Sequence, residues 1–333
     1  MTSNIAKPLI IIGAGPVGLY AAFQAGLCGM RPIIIDSQPH PGGQCAALYP
    51  EQMIYDAPAW GEISGGALTQ QLLDQAAPFD PLILYGRHVR SIWGSLNDGF
   101  NVETDTGETI TGAAVVYAGG AGALTPRRLT ATGVDDISTS DLSYAATDVN
   151  AAFGRRVAVV GDGAAAIDLA LDAADRAKNV VLIHSRSLRA DDRLLDNLNR
   201  AVKSEHLQLI NGEIASLYAP GGRLRRISVD VNGAVLDHNA DLLLVQAGLE
   251  IAEGKITGLG PITTPDTGET DLRGVFVIGD AVCSNSRPPV IAAGFSEALR
   301  AIRAAHARVE PNAPRTLPYT ASSPALQRRL QVA

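Results

Sequence analysis

Cysteine is scarce in this chain of 333 residues. Cys28, Cys45 and Cys283 are the only three, and no two of them form a CxxC pair. They form no metal-ligand cluster either, and a sparse, odd set of thiols fits a reducing cytoplasm better than a disulfide framework. Long apolar runs are also missing, the longest being far below the ~20 residues of a membrane span. Met1 to Lys7 is short and polar and leads straight into a strand pattern, so no signal peptide is expected. An excess of positive charge is absent too. The 27 Lys and Arg face 34 Asp and Glu, a formal net charge of -7, which argues against a general nucleic-acid binder. Hydrophobic residues make up 46%, enough to rule out disorder, and the length allows two or three domains.

What the chain does have is glycine in two telling places. Gly13-Ala14-Gly15-Pro16-Val17-Gly18 and Gly161-Asp162-Gly163-Ala164-Ala165-Ala166 are dinucleotide-binding fingerprints, 148 residues apart. Each follows an apolar strand pattern (Pro8 to Ile12, Arg156 to Val160). Each opens a helical one (Val17 to Leu27, Ala164 to Ala174), and a second strand follows (Arg31 to Ile35, Asn179 to Ile183). That is a βαβ unit twice over, and such units imply parallel sheets. After each, alternating polarity broken by turn residues predicts a β-meander. The corners are Asn97-Asp98-Gly99 and Asp105-Thr106-Gly107 in the first, and Gly221-Gly222 and Asn232-Gly233 in the second. Helices are expected over 68–77, 194–205 and 296–307, and strands over 113–117, 242–246 and 274–278.

The fold class is therefore α/β, with two Rossmann-like dinucleotide-binding domains, each a parallel sheet plus a β-meander. The first domain is split, 1–119 and 249–333, with the second, 120–248, inserted into it. The tail, 310–333, is rich in proline and small residues, and either moves freely or packs over a site. A protein that binds two dinucleotides commonly passes electrons between them.

The chemistry of the two sites differs. Gly13 permits a tight turn, Gly15 lets the backbone approach a pyrophosphate, and Gly18 lets helix and sheet pack closely. The helix N-terminus offers unpaired N–H groups to the phosphates. Asp36, 23 residues after Gly13, stands where an acidic residue accepts hydrogen bonds from an adenosine ribose. At the corresponding place in the second half the chain reads His184-Ser185-Arg186-Ser187-Leu188-Arg189. No acid ends that strand, and guanidinium groups suit a 2′-phosphate, so the second site leans to NADPH over NADH. A solvated basic loop is the alternative. Gly279-Asp280 after a strand could bind the hydroxyls of a flavin's ribityl chain, or merely cap a helix.

Three further stretches carry a family resemblance. Pro41-Gly42-Gly43-Gln44-Cys45-Ala46-Ala47-Leu48-Tyr49-Pro50-Glu51 leads into Ile54-Tyr55-Asp56. Gly120-Ala121-Gly122-Ala123-Leu124-Thr125-Pro126-Arg127-Arg128-Leu129 matches a first domain crossing. Val290-Ile291-Ala292-Ala293-Gly294-Phe295-Ser296-Glu297-Ala298 follows Asp280. Together with the fingerprints, the chain resembles the two-dinucleotide flavoprotein disulfide reductases. Within them it resembles most the thioredoxin-reductase-like ferredoxin–NADP+ reductases, over nearly its whole length.

The resemblance implies FAD in the first domain and NADPH in the second. It implies that Gly13, Gly15, Pro16, Gly18, Asp36, Gly43, Gln44, Tyr49, Asp56, Val89, Leu124, Asp280 and Ala293 hold FAD. Gly161, Gly163, Ala164, Ala165, His184, Arg186 and Arg189 would hold NADPH. Tyr49 would stack on one face of the flavin ring. Tyr319, in the tail of a partner subunit of a homodimer, would stack on the other. Segments near Gly120 and Gly248 would act as hinges. The chain departs from the family pattern at His184-Ser185-Arg186, where two adjacent arginines are usual. It departs also at Ala293, where threonine is common, and at Arg287-Pro288-Pro289 in place of a lysine-containing stretch.

Thioredoxin reductases need a redox CxxC just before the second fingerprint. This chain has Ile137-Ser138-Thr139-Ser140-Asp141 there, and no cysteine between Cys45 and Cys283. Disulfide reduction by that route is excluded. The expected function is an enzyme passing electrons between NADPH and a [2Fe–2S] ferredoxin, or a similar one-electron carrier, through FAD. No metal, no side-chain nucleophile, no nucleic acid and no membrane are involved. The alternative is an NAD(P)H-dependent quinone or flavin reductase, or an oxidase, working by the same relay. A flavin-binding regulatory protein without turnover is a third reading, disfavoured because both sites look complete. Arg127, Arg128, Arg155 and Arg156 could steer an acidic partner, or be ordinary surface residues.

Overall fold

Four consecutive β-branched or leucine side chains, Leu9–Ile12, form a strand with no exposed face. A strand of that kind belongs in the middle of a parallel sheet covered on both sides. The computed structural model describes residues 8–48, 50–144, 149–251, 256–282, 288, 290–314, 319–330 and 332. It divides the chain into two compact units, 1–124 with 251–333, and 125–250. The divisions fall at 124/125 and 250/251, a few residues beyond the 119/120 and 248/249 expected from the glycines.

In the first unit Leu9–Ile12 pairs in parallel with Pro32–Ile35 on one side and Ala114–Tyr117 on the other. Leu82–Leu84 and Val275–Val277 extend the parallel run outward. Glu269–Thr270 and Ile262–Thr264 add an antiparallel edge, completing seven strands. One face is covered by the Pro16–Leu27, Gly65–Ala76 and Ile291–Val309 helices, whose alanines and leucines pack on Ile11, Ile34 and Val116. The other face, Ile10, Ile35 and Val115, packs on the meander of Val89–Ser95, Gly99–Thr104 and Thr109–Gly112 through Ile92, Phe100 and Val102.

The second unit is a five-stranded parallel sheet with Arg156–Val160 at its centre. Asn179–His184 and Leu207–Asn211 lie on one side, Leu242–Val245 and Leu142–Tyr144 on the other. The Ala164–Ala174 and Asp192–Lys203 helices cover one face. A second meander, Glu213–Tyr218, Arg226–Val231 and Ala234–Asn239, covers the other. Asp191 caps the second of these helices, its carboxylate accepting the Leu194 N–H at 2.7 Å, so that helix starts two residues earlier than expected.

The largest departure from expectation is the helix predicted over 296–307. It spans Ile291–Val309. The Val290-Ile291 pair reads locally as extended chain, but packing prevails. A Cβ at Gly294 would lie 2.4 Å from Val17 Cγ2, so glycine there lets the first turns of the two helices meet. In the tail, Ser323 caps a short Pro324–Arg329 helix and Leu326 is buried. Arg329 donates to the Leu27 carbonyl at the C-terminal end of the first helix, 3.4 Å away, where a cation is favoured.

Candidate nucleotide-binding sites

The turn after Leu9–Ile12 is set by contacts no other residue type permits. Gly13 has φ +108°, and a Cβ there would sit 2.4 Å from the Ala118 carbonyl oxygen. A Cβ at Gly18 would lie 1.9 Å from the Gly13 carbonyl oxygen. Gly15 is different. Its backbone is extended (φ -70°, ψ 177°), and the nearest atom to an added Cβ is the Gly43 Cα at 3.9 Å. Gly15 is the N-cap of the Pro16–Leu27 helix and offers no side-chain cap, so the N–H groups of the first turn are left for a ligand.

Asp36, at the end of the Pro32–Ile35 strand, is buried. Its carboxylate accepts the Ala14 N–H at 2.5 Å and the Gln38 N–H at 2.7 Å. Burial pushes its pKa up, and the two amide hydrogen bonds work against that rise. Gln38 also donates to the Leu124 carbonyl. The fingerprint turn, the strand end and the Leu124 segment are thereby tied together.

These groups open into a cleft of about 300 Å³ in the first unit, at the carboxyl ends of its parallel strands. Of the residues expected at the flavin, Gly13, Gly15, Pro16, Asp36, Gly43, Gln44, Val89, Leu124 and Asp280 line it. Gly18 lies under the turn, Asp56 is exposed, and Ala293 is half-buried in the helix whose neighbours Val290 and Ile291 line the cleft in its stead. Tyr49 falls outside the described residues, and so does Arg287. Tyr319 is described and is 84% exposed. The Gly279 N–H donates to Glu297 Oε2 at 2.8 Å, so the Ile291–Val309 helix positions the Gly279-Asp280 turn.

Sequence reading missed Cys45, Arg87, His88, Tyr117 and Ile256, all of which line the cleft. Tyr117 was within reach, since it ends a strand adjacent to the fingerprint strand. Cys45 follows the expected Gly43 and Gln44 in the short Gly43–Ala47 helix, and Arg87, His88 and Ile256 arrive from loops distant in sequence. Burial, with the nearby charge of Asp280 second, pushes the Cys45 thiol up, and burial does the same to Cys28. Neither is disposed to act as a thiolate nucleophile.

The second fingerprint repeats the first with one exchange. The Gly161 N–H donates to the Ile183 carbonyl at 3.0 Å, as the Gly13 N–H does to Ile35 at 2.8 Å. By that register Asp162 stands where Ala14 does, and His184 where Asp36 does. Asp162 Oδ1 accepts the Ser185 N–H at 3.0 Å and the Arg186 N–H at 3.2 Å, and its carbonyl accepts the Arg189 N–H at 2.8 Å. The His184 ring Nδ1 lies 2.8 Å from the Arg186 carbonyl. Gly163, N-cap of the Ala164–Ala174 helix, has no side-chain cap and open space at its Cβ position, and Ala164 and Ala165 are exposed. Arg186 and Arg189 are exposed beside them.

The four arginines considered for steering a partner are engaged within the second unit. Arg155 pairs with the buried Asp141 at 2.7 Å, and Arg156 with Asp241 at 2.6 Å. Arg128 lies over the Tyr144 ring, and Arg127 is 3.9 Å from Glu250. Arg155 and Arg156 serve the fold of that unit, and Arg127 and Arg128 are exposed surface residues. Among the described residues no helix is long and apolar enough to cross a membrane.

Comparison with known proteins agrees with this geometry. The family model described as pyridine nucleotide-disulphide oxidoreductase matches residues 7–307. A protein of Parvibaculum lavamentivorans named ferredoxin–NADP reductase is 34% identical, over 99% of this chain and 99% of its own. One of Acidiphilium cryptum with the same name is 36% identical, over 97% and 98%. Among solved structures, a thioredoxin reductase from Gloeobacter violaceus has a TM-score of 0.57 at 19% identity, covering 94% of this chain and 98% of its own. That of Lactococcus lactis has a TM-score of 0.53 at 21%, covering 91% and 99%. At those identities the structures speak for the fold.

Proposed function

The chain belongs to the pyridine nucleotide-disulphide oxidoreductase family, and we propose that it is a ferredoxin–NADP+ reductase, with FAD held by the first unit and NADPH by the second. One observation carries the reading. A glycine-framed cleft with a buried ribose-type aspartate occurs in a chain without a CxxC, so electrons from the flavin have no protein disulfide to enter. The name shared by its full-length relatives supports the acceptor.

The residues present fit both cofactors. Gly15 and Gly43 leave the backbone bare where a pyrophosphate must approach, and the uncapped first turn of Pro16–Leu27 supplies N–H donors. The Asp36 carboxylate, held by Ala14 and Gln38, is oriented toward an adenosine ribose. Asp280, set by the Gly279–Glu297 hydrogen bond, would take a hydroxyl of the ribityl chain. In the second unit, Gly163 and the first turn of Ala164–Ala174 would hold the pyrophosphate of NADPH, with His184, Arg186 and Arg189 at its adenosine end. When bound, FAD would supply the redox chemistry that links a two-electron nicotinamide to a one-electron iron–sulfur carrier. The chain's part is orientation, shielding and electrostatics. No side chain needs to be a nucleophile, in keeping with the raised thiol pKa values of Cys28 and Cys45.

The exposure of Tyr319 suits an assembly in which the tail of one copy covers the flavin cleft of another, so we read the active form as a homodimer; the sparse, odd set of cysteines supports a reducing, cytoplasmic setting. Ferredoxin-dependent reduction of cytochrome c tests the reading. NADPH should drive it, and omission of ferredoxin should stop it. Rapid quinone reduction with no ferredoxin effect would favour the alternative.

A further inference from the structure

The two fingerprints hold a carboxylate at the same loop, but from opposite sides. In the first unit Asp36 Oδ1 accepts the Gln38 N–H from the strand end, and its other oxygen reaches the fingerprint at Ala14. In the second unit the strand end is His184, and the carboxylate comes from the fingerprint. Asp162 Oδ1 accepts the Ser185 and Arg186 N–H groups, which correspond to Ser37 and Gln38. The charge has changed places while one of its targets, the N–H two residues beyond the strand end (Gln38 in the first unit, Arg186 in the second), has not.

The place matters because this loop meets the adenosine ribose in a βαβ nucleotide site. An acidic group there accepts from the ribose diol and opposes a 2′-phosphate through like charge. Here it also occupies two backbone N–H donors that could otherwise hold a phosphate. Arg186 and Arg189, exposed on the same loop, act the other way. We propose that Asp162 is a specificity-determining residue of the second site, lowering the preference for a 2′-phosphorylated nucleotide that the two arginines confer. The inference rests on the second unit being the nicotinamide-nucleotide site.

Its test uses adenosine fragments, which carry the 2′-phosphate question without any redox step. The affinities of 2′,5′-ADP and 5′-AMP are measured by calorimetry on the FAD-loaded protein and on Asp162→Ala and Asp162→Asn. Alanine is tolerated at the matching position of the first unit, where Ala14 stands. Asparagine keeps a carbonyl acceptor for the two amides but loses the charge. The ratio of 2′,5′-ADP to 5′-AMP affinity should rise about tenfold in both variants, equivalent to about 1.4 kcal/mol. The KM ratio of NADH to NADPH should rise with it. An unchanged or reduced ratio overturns the proposal. So does equal weakening of both fragments, which would make Asp162 only a brace for the loop. If neither fragment binds the unsubstituted protein, the second unit is not the nucleotide site, and the function proposed above fails with it. If both bind and the ratio does not move, only this inference fails.

Discussion

The Asp36 carboxylate and the Ala14 N–H, 22 positions apart in the chain, meet at 2.5 Å. That bond joins the end of the second strand to the fingerprint turn and orients a buried carboxylate that lines the first cleft. Replacing Asp36 with Ala leaves two backbone donors unpaired, at a cost of about 1–3 kcal/mol each if they stay dry. Asp36→Ala is expected to lower FAD affinity by at least tenfold, read by fluorescence of released flavin. Unaltered retention of flavin would show that Asp36 is not at the ribose.

Two glycines of the same turn separate structure from ligand. A Cβ on Gly18 collides with the Gly13 carbonyl at 1.9 Å, so Gly18→Ala should destabilise the apoprotein by about 2–4 kcal/mol. A Cβ on Gly15 meets nothing closer than 3.9 Å, so Gly15→Ala should leave apoprotein stability within about 0.5 kcal/mol. It should nonetheless lower FAD affinity sharply, because the methyl group fills the space needed by the phosphates. Urea unfolding of the flavin-free variants, beside flavin titration, checks both halves of the contrast.

Legibility in the sequence followed local determinism. The fingerprints, the strands beside them and the meander corners could be read because Gly13, Gly161, Gly99 and Gly233 all need positive φ, which few other residues supply. The start of the Ile291–Val309 helix could not, since its cause is contact between Gly294 and Val17, far apart in the chain. Asp162 sits at a variable position of its motif. Its significance appears only when the fold brings Ser185 and Arg186 against it. His88 reaches the cleft for the same reason, through tertiary approach of a loop with no signature of its own.

Acid should loosen the second unit through Asp241. Two hydrogen bonds from the Arg156 side chain, at 2.9 and 2.6 Å, hold its carboxyl down to about 2, from the usual 3.8. A depressed pKa stabilises the fold above the unfolded value, and that contribution is lost as pH falls through the folded one. The shift caps the effect at about 2 kcal/mol, and partial solvent exposure brings it nearer to ~1 kcal/mol. The stability gap between the natural chain and Asp241→Asn should therefore shrink between pH ~4 and ~2. Hydrogen exchange of the Arg156–Val160 strand reads it, and a constant gap would deny the pair any part in acid sensitivity.

Tyr319 offers a test of the tail. It is 84% exposed, so Tyr319→Ser should change stability by no more than about 0.5 kcal/mol. If the tail covers a flavin in a second copy, the same substitution should shift the flavin absorption spectrum and alter the rate of hydride uptake. An unchanged spectrum in a protein shown to be dimeric would remove Tyr319 from the flavin.

The most direct measurement is rapid mixing under anaerobic conditions. The purified protein, yellow with bound FAD, is mixed first with NADPH and then with oxidised [2Fe–2S] ferredoxin. The flavin band should bleach on the first mixing and return on the second, at a rate set by ferredoxin concentration. A flavin that NADPH never bleaches, or that ferredoxin never reoxidises, would contradict the relay.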